Sequence, residues 1–139
     1  MSGWRRKALE LFPERAAMIR YPDGIHVVFA QLVGDLQQAY REVPPQRDFI
    51  DRVYEFAAWC FGSKQNAYLR NAAAVSFYEH VPDFRPARAD LALRFTPAMW
   101  KELEPLLYQM LPPESYDAFE REIRKRGIAG KESVRRQPT

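Results

Sequence analysis

The chain has 139 residues, 47% hydrophobic and 28% charged, with 6 Gly, 11 Pro and a single Cys. A chain of this length buries about 68% of the surface its unfolded form exposes, so it can hold a core without disulfides or metal. One thiol, Cys60, excludes a disulfide-stapled secreted scaffold and any Cys-rich zinc module, and cytoplasm is the expected compartment. The longest uncharged run, Gly24 to Gly34, is far short of the roughly 20 residues a membrane-spanning helix needs. Arg5, Arg6 and Lys7 resemble the lead of a signal peptide, but Glu10 and Pro13 interrupt the apolar stretch behind them, so no targeting segment is expected. Net charge is only +3. Basic residues concentrate at the two ends, while residues 21–62 carry three basic against six acidic groups.

Residues 4–20 predict helix, with Trp4, Ala8, Leu11 and Phe12 on one side and Pro13 either kinking it or restarting it. Tyr-Pro-Asp-Gly at 21–24 predicts a turn. Over 25–42, Ile25, Val28, Phe29, Leu32, Val33, Leu36 and Tyr40 keep helical spacing, with Asp23 placed to cap. Pro44-Pro45 ends that helix. From 47 to 61, Phe49, Ile50, Val53, Phe56, Ala57 and Cys60 recur on one side, opposite Asp48, Asp51, Arg52 and Glu55, and Gly62 is the expected stop.

Residues 66–81 leave almost no polar side around Ala72, Ala73, Ala74, Val75, Phe77 and Tyr78, which predicts a central helix surrounded by others. Pro82 and Pro86 predict a loop followed by a short helix through Leu91 and Leu93. Thr96-Pro97 is a helix start, and Pro105 is expected to bend or break that helix. Pro112-Pro113-Glu114 opens a last helix striped by Tyr116, Phe119 and Ile123, with Glu120 and Glu122 four residues before Arg124 and Arg126. The expected fold is all-α, a compact bundle of six or seven helices in one domain over 1–126, with a loose basic tail at 127–139.

Phosphate loops, dinucleotide-binding glycines, HExxH and EF-hand spacings are absent, so no catalytic residue, metal site or cofactor is expected. Adjacent Glu79 and His80 point about 100° apart on a helix and share one ion poorly. Cys60 falls inside an apolar stripe, which suits a structural thiol better than a nucleophile paired with His80 or His26. The polar interruptions Asn71, Ser76, Glu79 and His80 admit two readings. They form an internal hydrogen-bond network, with Ser76 and His80 one turn apart, or Glu79 and His80 reach the surface beside the Pro82–Pro86 loop as a site.

Three stretches also resemble a family: Trp-Arg-Arg-Lys-Ala-Leu-Glu-Leu-Phe-Pro from Trp4, Asn-Ala-Ala-Ala-Val-Ser-Phe-Tyr-Glu-His-Val from Asn71, and Trp-Lys-Glu-Leu-Glu-Pro-Leu from Trp100. Across most of 4–124 the chain is similar to small all-helical bacterial proteins of an uncharacterised family, some of which resemble immunity partners of bacterial toxins. The resemblance implies a compact helical protein and carries no catalytic residue with it.

The function expected from these observations is a non-catalytic protein-binding module of the immunity or antitoxin type. Three Trp, seven Tyr and nine Phe make 19 rings, more than such a core is expected to hide, and surface aromatics are common interface anchors. The acidic stretch Asp35, Glu42, Asp48, Asp51 and Glu55 is the candidate patch for a cationic partner, or else an ordinary solvated helix face. The expected partner-binding residues are Asp48, Asp51, Glu55, Glu79 and His80. The alternative is a nucleic-acid-binding accessory protein using its basic termini, although Glu114, Asp117, Glu120 and Glu122 dilute the last helix.

Overall fold

The computed structural model describes residues 2–20 and 24–128. Among them the chain is all-α, with eight α-helices, short 3-10 and π turns and no strand. The helices are α1 (Gly3–Leu11), α2 (Ala16–Arg20), α3 (Ile25–Arg41), α4 (Arg47–Phe61), α5 (Ala67–Ala73), α6 (Arg88–Leu93), α7 (Pro97–Met110) and α8 (Pro113–Lys125). The count exceeds six or seven because Pro13 restarts the first helix through a 3-10 turn, giving α1 and α2. Most of the turn at 21–24, the Asp23 cap and residues 129–139 of the expected tail lie outside the described residues. By its backbone contacts the chain groups into two compact units, Met1–His80 and Val81–Thr139.

In the first unit the helical stripes converge on a continuous run of rings. Phe12 lies 5.8 Å from Phe49 and 6.2 Å from Phe56, and Phe29 lies 5.3 Å from Phe56 and 5.8 Å from Phe77. Phe77 then meets Tyr78 at 5.1 Å and Tyr54 at 5.9 Å, and Tyr78 meets Phe61 at 5.6 Å. Tilted and edge-on pairs at these separations add about 0.5–1.5 kcal/mol each beyond the area they bury. The core absorbs most rings of the chain, so a large surplus of surface aromatics does not exist among the described residues, where only Trp59 and Tyr68 are exposed.

The central-helix expectation needs correction. Leu69, Ala72, Ala73, Phe77 and Tyr78 are buried, but Tyr68 and Asn71 are exposed and Val75 is half-buried, so one side of 67–78 faces water. Its second half is not α-helical. Ala74–Tyr78 forms a π turn, closed by the Glu79 amide donating to the Ala74 carbonyl at 2.9 Å. Widening by one residue rotates the side chains beyond it away from their α-helical positions.

Helix ends in both units are finished by arginines from elsewhere. Arg52 donates to the Leu11 carbonyl at 2.7 Å, Arg5 to Ile19 at 2.6 Å, Arg70 to Phe61 at 2.6 Å and Arg126 to Ala92 at 2.7 Å. Each satisfies a last-turn carbonyl that the helix itself leaves open. Gly62 follows α4 at a close approach, where a Cβ would sit 3.1 Å from the Ala58 carbonyl oxygen. Gly127, at φ +72°, supplies the left-handed residue after α8.

The second unit packs α6 and α8 with the turns at 81–87, and Phe95, Trp100, Tyr108, Tyr116 and Phe119 form its ring cluster. Thr96 caps α7, its Oγ1 accepting from the Met99 amide at 3.1 Å. Pro105 does not break α7. It sits on the exposed side between buried Leu103 and Leu107, and Lys101, whose carbonyl loses its usual helical donor there, is itself exposed.

Candidate functional site

The outer side of α4 gathers three of the five expected partner-binding residues. At 100° per residue, Asp48, Asp51 and Glu55 fall within about 60° of arc, and Trp59, one turn beyond Glu55, widens it only to about 80°. All four are exposed, Trp59 at 38%. The remaining side of α4 faces the ring core through Ile50, Val53, Phe56, Ala57 and Cys60, which fixes the outward direction of the stripe.

This stripe is not a bare acidic patch. Asp48 accepts from Arg52 Nε at 3.0 Å, while Arg52 Nη1 also reaches Glu14 at 2.7 Å. Burial opposes the charge on Arg52, but hydrogen bonds and attraction from Glu14 and Asp48 outweigh it and raise its pKa. Glu55 pairs with Lys7 at 3.8 Å. Asp35, expected in the same patch, is paired with Arg15 at 2.5 Å. Cations from α1, α4 and the turn after α1 therefore alternate with the carboxylates. Their sequence separations, 38 residues for Arg52 and Glu14 and 48 for Lys7 and Glu55, hid this from composition.

Glu79 and His80 are not on this face. They come directly after the π turn, Glu79 half-buried and His80 exposed, and among the described residues neither side chain makes a hydrogen bond or ion pair. The internal network expected of Asn71, Ser76, Glu79 and His80 does not form, because Asn71 is exposed and Ser76 turns to another partner. That partner is His26, at the start of α3, whose Nδ1 is hydrogen-bonded to Ser76 Oγ. The Tyr68 ring stands edge-on to the imidazole at 5.8 Å and 84°. Only the packing of α3 on the π turn brings together residues 50 positions apart.

Cys60 is fully buried, and desolvation pushes its thiol up to about 12, which suppresses the thiolate a nucleophile needs. Among the described residues no group of three or more His, Cys, Asp and Glu could hold a metal ion. No helix among them is long and apolar enough to cross a membrane.

The second unit holds two polar clusters that sequence reading missed. Ser115 donates to Asp83 Oδ1 at 2.5 Å and accepts from Arg88 Nη2 at 3.0 Å, and Arg88 Nε donates to the Pro82 carbonyl at 2.7 Å. Tyr116 hydroxyl lies 2.6 Å from Glu104 Oε2 and 3.4 Å from Glu120 Oε2. Both clusters tie helices and turns together with every named group paired.

The sequence pattern of a domain of unknown function, DUF7674, matches residues 5–126. The chain belongs to the DUF7674 family. The match runs from within α1 to the end of α8, so the α4 stripe and the His26–Ser76 pair both lie within the DUF7674 region. No curated protein and no solved structure matches the chain.

Proposed function

We propose that this DUF7674 chain is a non-catalytic protein-binding module that docks a cationic protein surface on the outer side of α4. The observation that carries the reading is the alignment of Asp48, Asp51 and Glu55 with an exposed Trp59 on one rigid helix. Tryptophan is the side chain most enriched at interface hot spots, and flanking carboxylates steer and orient a basic partner. The ion pairs to Arg52 and Lys7 do not block this. Glu55 and Asp48 are mostly solvent-exposed, and such pairs contribute about 0–1 kcal/mol, so an incoming cation exchanges with them at low cost. Glu79 and His80 would form a secondary contact on the same unit. In a bacterial cytoplasm the role that fits is that of an immunity or antitoxin-type factor masking a cationic partner.

The test is capture of partners by the wild-type chain and by two variants, Trp59→Ala and the combined Asp48→Lys, Asp51→Lys and Glu55→Lys. A protein retained by wild type, lost by Trp59→Ala and bound more slowly by the charge-reversed chain supports the reading. Equal retention by all three removes α4 as the docking face. Nucleic acid recovered instead, with affinity falling steeply in salt and indifferent to Trp59, replaces it with the accessory-protein alternative.

A further inference from the structure

We propose that Ser76 is an acyl-acceptor nucleophile with His26 as its base, a modification site for activated esters and thioesters. This goes beyond docking through α4 and does not rest on it. A serine hydroxyl attacks a carbonyl only when a neighbouring base can take its proton, and the signature is nucleophile and base within hydrogen-bond reach. Ser76 Oγ and His26 Nδ1 meet that condition directly. In the tautomer that carries its hydrogen on Nε2, the imidazole presents a bare Nδ1 able to accept that proton.

Two features hold the pair in place. The π turn at Ala74–Tyr78 turns Ser76 toward α3 rather than toward His80, and π turns of this kind recur at functional positions. Edge-on contact with Tyr68 limits rotation of the His26 ring. Accessibility is also met, since His26 is exposed and Ser76 half-buried, whereas the Cys60 thiol is sealed in the core.

The step balances without any other reagent. Ser76 Oγ bonds to the carbonyl carbon of the donor while its proton passes to His26 Nδ1. The bond from that carbon to the donor's sulfur or phenolic oxygen then breaks, and the departing thiolate or phenolate takes its electron pair and recovers the proton from the imidazolium. The products are a Ser76 ester and a free thiol or phenol.

The probe is p-nitrophenyl acetate, with labelling located by peptide mass on the full-length chain. Ser63 serves as the internal control, because it is half-buried like Ser76 and its hydroxyl donates only to the Trp59 carbonyl, at 3.0 Å. The expected result is acetyl on Ser76 and none on Ser63, abolished at that position by Ser76→Ala. His26→Ala should slow labelling roughly tenfold or more, and free imidazole should restore it, which a merely structural role for His26 would not produce. Circular dichroism of each variant checks that the helices persist. Labelling absent from Ser76, equal on Ser63, or unchanged by His26→Ala in a folded chain overturns the proposal.

Discussion

The first unit surrounds its interior with hydrocarbon and rings, keeping most of its side-chain hydrogen bonds at the rim, whereas the second threads hydroxyls and carboxylates between its helices. Phe12, Phe29, Phe56 and Phe77 are wholly buried in the one, and the other buries Ser115 beside Asp83 and Arg88 and sends the buried Tyr116 ring's hydroxyl to Glu104. Turns explain part of the contrast. The second unit opens on two proline-bearing 3-10 turns and a six-residue α6 ahead of α7 and α8, and the backbone of such turns needs polar partners to hold its course. An apolar centre gains stability in proportion to area removed from water, while a polar one depends on each hydrogen bond being made.

Single substitutions can break or sharpen that contrast. The largest effect is expected from Phe77→Ala, which removes a fully buried ring touching Phe29, Tyr54 and Tyr78 and should cost about 3–5 kcal/mol in urea unfolding. A loss under about 1 kcal/mol would mean that the ring core is not what holds the first unit.

Alkali offers a second test of the same dry interior. The Cys60 thiol is raised to about 12 by burial, so the folded chain keeps that proton while the unfolded chain, near 8.5, releases it. Stability from this group is therefore complete below about pH 8.5 and lost as pH rises toward 12, amounting to about 2 kcal/mol lost by pH 10. Tyr78, raised by burial, by Tyr54 and by Cys60, adds to the decline in the same direction. Cys60→Ala should flatten the stability curve above pH 8.5, and an unchanged slope would show that the thiol reaches water.

For the second unit, Tyr116→Phe keeps the ring and deletes the hydroxyl between Glu104 and Glu120, at an expected cost of about 1–2 kcal/mol. Amide hydrogen exchange should register that loss in α7 and α8 while α3 and α4 stay protected. Equal weakening across both units would mean they unfold as one. The smallest effect belongs to the α4 surface, where Asp51→Lys should move stability by no more than about 0.5 kcal/mol in urea unfolding.

Much of the architecture is legible in one dimension. The stripes of α3 and α4, the Thr96 cap with Pro97 behind it, and Gly62 at the end of α4 depend on neighbours within a turn or two, so spacing alone carries them. What stayed hidden depends on partners far along the chain. Arg52 reads locally as one solvated member of a polar helix side, yet its guanidinium sits 5.5 Å from the Phe12 and Phe49 ring centroids while capping Leu11, 41 residues away. The π turn leaves no local sign either, because Ala-Val-Ser-Phe-Tyr satisfies α-helical spacing as well, and Ser76 consequently pairs by pattern with His80 and in space with His26. Of the α4 stripe, spacing shows that Asp48, Asp51 and Glu55 share a side, but not that Lys7 and Glu14 join their charges from α1 and the turn after it.

The arginines that close helix ends bear on how the chain's basicity is understood. A sequence pI near 9.1 suggests a molecule that attracts polyanions, yet Arg5, Arg52, Arg70 and Arg126 direct part of their guanidinium toward main-chain oxygens. Those guanidinium groups serve as scaffolding, so an approaching polyphosphate still meets their charge but finds fewer of their donors open to it. Lysine in their place would preserve that charge and still loosen the helix ends, since a point-charge ammonium does not reproduce a planar fork of donors.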